Sequence, residues 1–81
     1  MKPIKVLLIE DDVEQAHQFQ SLFQRVRGVS FEVATYDRLD SGLARLDSET
    51  VDAVLLDLRL PDSEAPTTFG RVRERNAEVP I

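Results

Sequence analysis

VDAVLLDLRLPDS, residues 51–63, is the stretch on which the fold of this chain turns. In an extended strand Val51, Ala53 and Leu55 fall on one face and Val54 and Leu56 on the other, so both faces demand cover. A strand of that kind belongs inside a parallel sheet flanked by helices. Pro61-Asp62-Ser63 ends it with turn chemistry. Asp57 interrupts an otherwise apolar run, and an isolated carboxylate among buried residues is costly without a partner.

Working outward, residues 3–9, PIKVLLI, form a second run that is apolar on both faces and stops abruptly at Glu10-Asp11-Asp12. Asp12, with Gln15 three residues on, predicts a helix N-cap with a capping-box partner. Val13, Ala16, Phe19, Leu22, Phe23 and Val26 then recur at helical spacing until Gly28, which predicts a first helix over 13–27 with that stripe inward. SFEVATY, residues 30–36, reads as a strand with one more polar face. Asp37 caps a second helix bearing Leu39, Leu43 and Leu46, in which Gly42 costs about 1 kcal/mol relative to alanine. A third helix is expected over 67–75, with Pro66 suited to its first turn and Phe69 and Val72 facing inward. Val79-Pro80-Ile81 reads as a fourth strand just begun. The order β-α-β-α-β-α-(β) predicts a layered α/β fold with parallel strands joined by right-handed crossovers.

In an open parallel sheet, ligands bind outside the carboxyl ends of the strands. Glu10, Asp11 and Asp12 end the first strand and Asp57 ends the core of the third. If those strands are neighbours, three or four carboxyl groups converge, and like charges that close raise one pKa or demand a cation. A hard divalent ion with oxygen ligands, most naturally Mg²⁺, answers that need. Zinc is disfavoured, since the chain has no cysteine and one histidine. Taken alone, Asp11 and Asp12 also read as a solvated turn with a helix cap. Asp57, inside its apolar run, does not.

The chain has 81 residues and a net charge of −5 at pH 7, which allows one small domain and argues against direct nucleic-acid binding by charge. The apolar runs are too short for a bilayer span or a signal peptide. A cytoplasmic domain is the expectation. His17 lies well off the apolar stripe of the first helix and is expected in solvent. Arg25, Arg27, Arg71, Arg73 and Arg75 are expected to solvate helix faces. Thr67 and Thr68 fall in the first turn of the third helix.

KVLLIEDD at 5–12, RLDSGLARL at 38–46, VDAVLLDLRLPDS at 51–63 and the closing EVPI together resemble the receiver domain of two-component response regulators. The resemblance covers essentially the whole chain, and an aspartate between LL and LxLPD is its most specific part. It implies a flavodoxin-like fold with strand order 2-1-3-(4), residues 1–81 being the N-terminal part of a domain that runs on past the beginning of strand four. It implies that Asp57 accepts a phosphoryl group from a sensor histidine kinase or phosphotransfer protein and passes the signal to a partner or output domain. Mg²⁺ would be held by Asp11 and Asp57 directly, by Glu10 through water, and by the backbone carbonyl of Arg59. Such a module is a phosphoacceptor rather than an enzyme with turnover.

Some family features are absent from these residues: the hydroxyl that ends strand four, the lysine that ends strand five, and the α4–β5–α5 face. Glu64-Ala65-Pro66 stands where a glycine-containing turn is usual, so Ala65 must avoid positive φ or bear strain. An open strand-four edge predicts a dimer or exchanged assembly through the sheet, or a parent protein of which these residues are only a part. Two other functions compete. One is a Mg²⁺-dependent phosphohydrolase-like carboxylate-cluster enzyme, although neither residues 10–12 nor Asp57-Leu58-Arg59 gives the DxD pattern such enzymes use. The other is an interaction module that is never phosphorylated.

Overall fold

Three parallel strands carry the structure, a computed structural model that describes residues 2–81. β1 (Ile4–Ile9) lies in the centre, paired with β2 (Phe31–Tyr36) on one side and β3 (Ala53–Leu56) on the other, giving the order β2-β1-β3. The helices α1 (Val13–Arg25), α2 (Leu39–Ser48) and α3 (Thr67–Arg75) fill the crossovers. The expected α/β fold and strand order are thus observed. β3 is shorter than the apolar run that announced it, and Val51 and Leu60 join the core from just outside it.

The two sheet faces are covered unequally. Leu7 and Ile9 of β1, with Val54 opposite Leu7, point to the side roofed by α2 and α3. There they join Leu39, Leu43, Leu46, Val51, Leu60, Val72 and Val79 in the main core. Val6 and Leu8 point the other way and are also buried, but among the described residues only α1 covers that side. A helix about 10 Å wide cannot roof three strands about 4.8 Å apart with their side chains. α1 settles over β2, where Phe23 packs on Phe31 at 4.8 Å between ring centroids and the Gln20 amide donates to Thr35 Oγ1 at 2.7 Å. The inward stripe expected of α1 is therefore mostly in solvent. Ala16 is buried, whereas Val13 and Leu22 are 66% and 57% exposed. Phe69 is also exposed rather than inward, with the Arg73 guanidinium 5.5 Å above its ring.

Helix ends follow the sequence at α1 and depart from it at α2. Asp12 caps α1 by accepting the Gln15 N–H at 3.1 Å, but the Asp12 N–H points back to Glu10 Oε2 at 3.5 Å, so no reciprocal box with Gln15 forms. Arg25 is the last residue of α1, two short of the expected end, and Gly28 takes φ +79° in the turn beyond. Asp37 does not cap α2. Its N-cap position is Arg38, and the capping carboxylate is Asp62, which accepts from Leu39 N at 2.8 Å and Asp40 N at 2.9 Å. Burial disfavours its charge, yet those two N–H bonds hold the Asp62 carboxyl below its ordinary value. Loss of a cap costs about 0.5–2 kcal/mol. Asp62→Ala is expected to lower the unfolding free energy measured by urea melts by the upper part of that range, with a lower midpoint, since both N–H groups lose one partner. An unchanged unfolding free energy contradicts the capping role.

The arginines of α3 tie helices together instead of merely solvating a face. Arg71 bonds Asp40 at 2.9 Å, Arg75 bonds Asp47, and Arg73 reaches the carbonyls of Ala77 at 2.8 Å and Val79 at 3.0 Å. Val79–Ile81 is not a strand, but the Val54 N–H donates to Pro80 O at 2.8 Å, which sets that segment beside β3. The Ala65–Pro66 bond is cis, and among the described residues no non-glycine takes positive φ, so Ala65 avoids the strain raised above.

Candidate functional site

Parallel register brings the acidic residues together. Ile9 pairs with Leu56, so β1 and β3 end at one level and Glu10 and Asp57 emerge side by side. Two backbone bonds fix that junction: Asp57 N to Ile9 O at 2.9 Å, and Glu10 N to Tyr36 O at 2.9 Å. Glu10, Asp11 and Asp57 each offer a carboxylate oxygen, and these atoms all lie within 4.8 Å of one another. Glu10 is 6% exposed, Asp57 half-buried and Asp11 in solvent. Asp12 is committed to the α1 cap and stays outside the trio.

The electrostatics of the trio are those of crowded acid. Burial, then the hydrogen bond to Asp57, push the Glu10 carboxyl up to about 7, and the Asp12 N–H only partly opposes this. Burial also works against the charge of Asp57, but the hydrogen bond from the Glu10 carboxyl and that from the Arg59 N–H outweigh it and hold the Asp57 carboxyl below its ordinary value. The pair therefore shares its proton on the Glu10 side. Asp57 Oδ1 accepts the Arg59 N–H at 2.9 Å. The mouth of the site lies on the α1 side, where Gln15, Phe19, Leu55 and Leu58 line a cleft beside Glu10 and Asp57.

Of the residues singled out in the sequence, Glu10, Asp11 and Asp57 converge, Arg59 follows in the adjoining loop, and His17 is exposed on α1. Two residues with roles around the site were not assigned them from sequence. Asp62 ties the loop after Asp57 to α2, and Thr68, fully buried, hydrogen-bonds the Leu58 carbonyl at 2.9 Å and Ser63 Oγ at 2.8 Å. Polar residues clustered after an acidic strand end are the available signal, but their partners lie too far along the chain to be read.

The Response regulator receiver domain family matches residues 6–81. The chain belongs to that family. Among curated proteins it is 31% identical over 80 residues to the probable C4-dicarboxylate response regulator DctR of Bacillus subtilis (strain 168), covering 99% of this chain and 35% of that one. It is 35% identical over 78 residues to the transcriptional regulatory protein DltR of Streptococcus agalactiae serotype III (strain NEM316), covering 96% and 34%. The chain thus spans about a third of the length of these relatives. A solved structure of the MaeR response regulator bound to beryllium trifluoride superposes with a TM-score of 0.82 at 19% identity, over 95% of this chain and 62% of that one. That likeness carries the fold. Receiver domains are signalling domains of two-component systems, and this chain is one of them. Among the described residues no helix is long and apolar enough to cross a membrane.

Proposed function

We propose that this receiver domain accepts a phosphoryl group on Asp57. The observation that carries the proposal is the convergence of Glu10, Asp11 and Asp57 at the carboxyl ends of two neighbouring strands. A half-buried carboxylate, already ionised and held by the Arg59 N–H, is a competent nucleophile toward phosphorus. One Asp57 oxygen bonds to phosphorus as the phosphorus–nitrogen bond of a donor phosphohistidine breaks. The imidazole nitrogen keeps the electron pair, and an acyl phosphate remains on Asp57.

The donor set fits a hard divalent cation: three carboxylates without sulfur or imidazole, one of them buried and pushed up to about 7 for want of a counter-charge. Asp11, Asp57 and the Arg59 carbonyl are proposed to hold Mg²⁺ directly, and Glu10 through water. The ion, when bound, neutralises charge between the carboxylates and the arriving phosphate. A sensor histidine kinase or phosphotransfer protein is the proposed donor, and a partner or output domain receives the signal.

Incubation with acetyl phosphate and Mg²⁺, followed by intact mass, is expected to show one added phosphoryl group per chain. Asp57→Asn and removal of Mg²⁺ should each abolish it. Repeated turnover of phosphate esters without a labelled chain would overturn the reading in favour of a hydrolase.

A further inference from the structure

The fully buried Thr68 hydroxyl has no part in the chemistry above, yet it touches the group next to the acceptor. Its Oγ1 donates to the Leu58 carbonyl at 2.9 Å. That carbonyl and the Arg59 N–H belong to one peptide group, and in a planar trans peptide they point in opposite directions. At the far end of the same plane, the Arg59 N–H donates to Asp57 Oδ1 at 2.9 Å. The plane cannot turn about its flanking bonds without breaking both contacts. Thr68 itself has little freedom. Its N–H donates to Glu64 O at 3.1 Å, its hydroxyl meets Ser63 Oγ, and Ser63 exchanges two backbone bonds with Leu60, at 2.8 and 3.2 Å.

We propose that Thr68 is a positioning residue for phosphoryl transfer, holding the Leu58–Arg59 peptide so that its N–H stays on Asp57 Oδ1. The inference rests on the reading of Asp57 as acceptor. With Oδ1 tied, the carboxylate keeps one orientation and presents its other oxygen to phosphorus, the kind of pre-arrangement by which a fixed dipole speeds a charged reaction.

The test measures the rate of labelling by acetyl phosphate with Mg²⁺ alongside amide hydrogen exchange by NMR, for the wild type, Thr68→Val, Thr68→Ser and Asp57→Asn. Thr68→Val keeps the shape and removes the donor. It is expected to slow labelling about tenfold, the scale of one hydrogen bond bearing on a charged group. The Arg59 amide should exchange faster while core amides such as Leu7 and Val54 stay protected. Thr68→Ser should restore both. Labelling of Thr68→Val at the wild-type rate, with Asp57→Asn inert, overturns the inference and leaves the acceptor reading standing. Labelling of Asp57→Asn at the wild-type rate overturns both. The wild type offers a check that no folding defect can confuse: the Thr68 hydroxyl proton should exchange slowly with water, and rapid exchange overturns the clamp.

Discussion

Without a divalent cation, the stability of this chain is expected to fall as pH rises from about 4.5 to about 7, on the order of 3 kcal/mol across that window. The sign follows from Glu10. Its carboxyl titrates near 7 in the folded chain and at an ordinary 4.5 when unfolded, so the fold favours the protonated form. The stability gained from that proton is complete below 4.5 and is lost as pH climbs through 7. Asp57 works in the opposite direction and elsewhere. Its carboxyl is held below 3.8, so its contribution is present above that value and lost as pH falls through the lower folded one. The metal-free domain should therefore be most stable in mild acid.

Saturating Mg²⁺ should reverse the upper limb, because a cation between Asp11 and Asp57 favours ionised Glu10 and its binding expels the proton. Stability gained from a ligand grows as RT ln(1 + [L]/Kd), so the recovery at pH 7 should deepen with Mg²⁺ concentration and vanish at pH 4.5. Urea melts across this range, with and without Mg²⁺, measure both effects. Glu10→Gln cannot ionise and should flatten the metal-free profile between 4.5 and 7. A wild-type profile already flat there means that Glu10 holds no proton, and the crowded-acid account of the site fails.

What the sequence discloses about this fold is whatever can be read from one element at a time. The apolar doubling of Val54 to Leu56 and of Val6 to Ile9 requires cover on both faces, and from it follows the parallel sheet; its order, and with it the neighbouring strand ends, follows only from the resemblance to the receiver family. That the acids stand at those ends is a matter of position along a strand, so the convergence of Glu10, Asp11 and Asp57 could be anticipated. The α2 cap could not. Asp37 stands at the right spacing, and Asp62 wins only because the turn after β3 returns it to within 2.9 Å of two α2 N–H groups. Thr68 looks like any hydroxyl in a first helical turn until the Leu58 carbonyl, ten residues earlier, is seen beneath it. The stripe of α1 has the right period for burial, but period says nothing about how many strands one helix must cover.

Replacing Gly42 by alanine is expected to destabilise the domain by about 1–3 kcal/mol, although it improves the intrinsic helix propensity of α2 by about 1 kcal/mol. The two expectations collide because α2 rests directly on the sheet. A Cβ built on Gly42 would stand 2.4 Å from Ile9 Cδ1 and 2.7 Å from Ile9 Cγ1. Ile9 is fully buried among the core leucines, so its side chain can withdraw only by displacing them. Either α2 lifts, exposing Leu39, Leu43 and Leu46, or Ile9 leaves its rotamer and drags on the residue after it, which is Glu10. The second route predicts a specific signature: the Glu10 and Asp57 amide resonances shift together with those of α2. Ile9→Val, which removes the nearer of the two atoms, should recover part of the loss in the double variant. A Gly42→Ala chain more stable than the wild type would show that propensity governs α2 and that the helix–strand contact has room to spare.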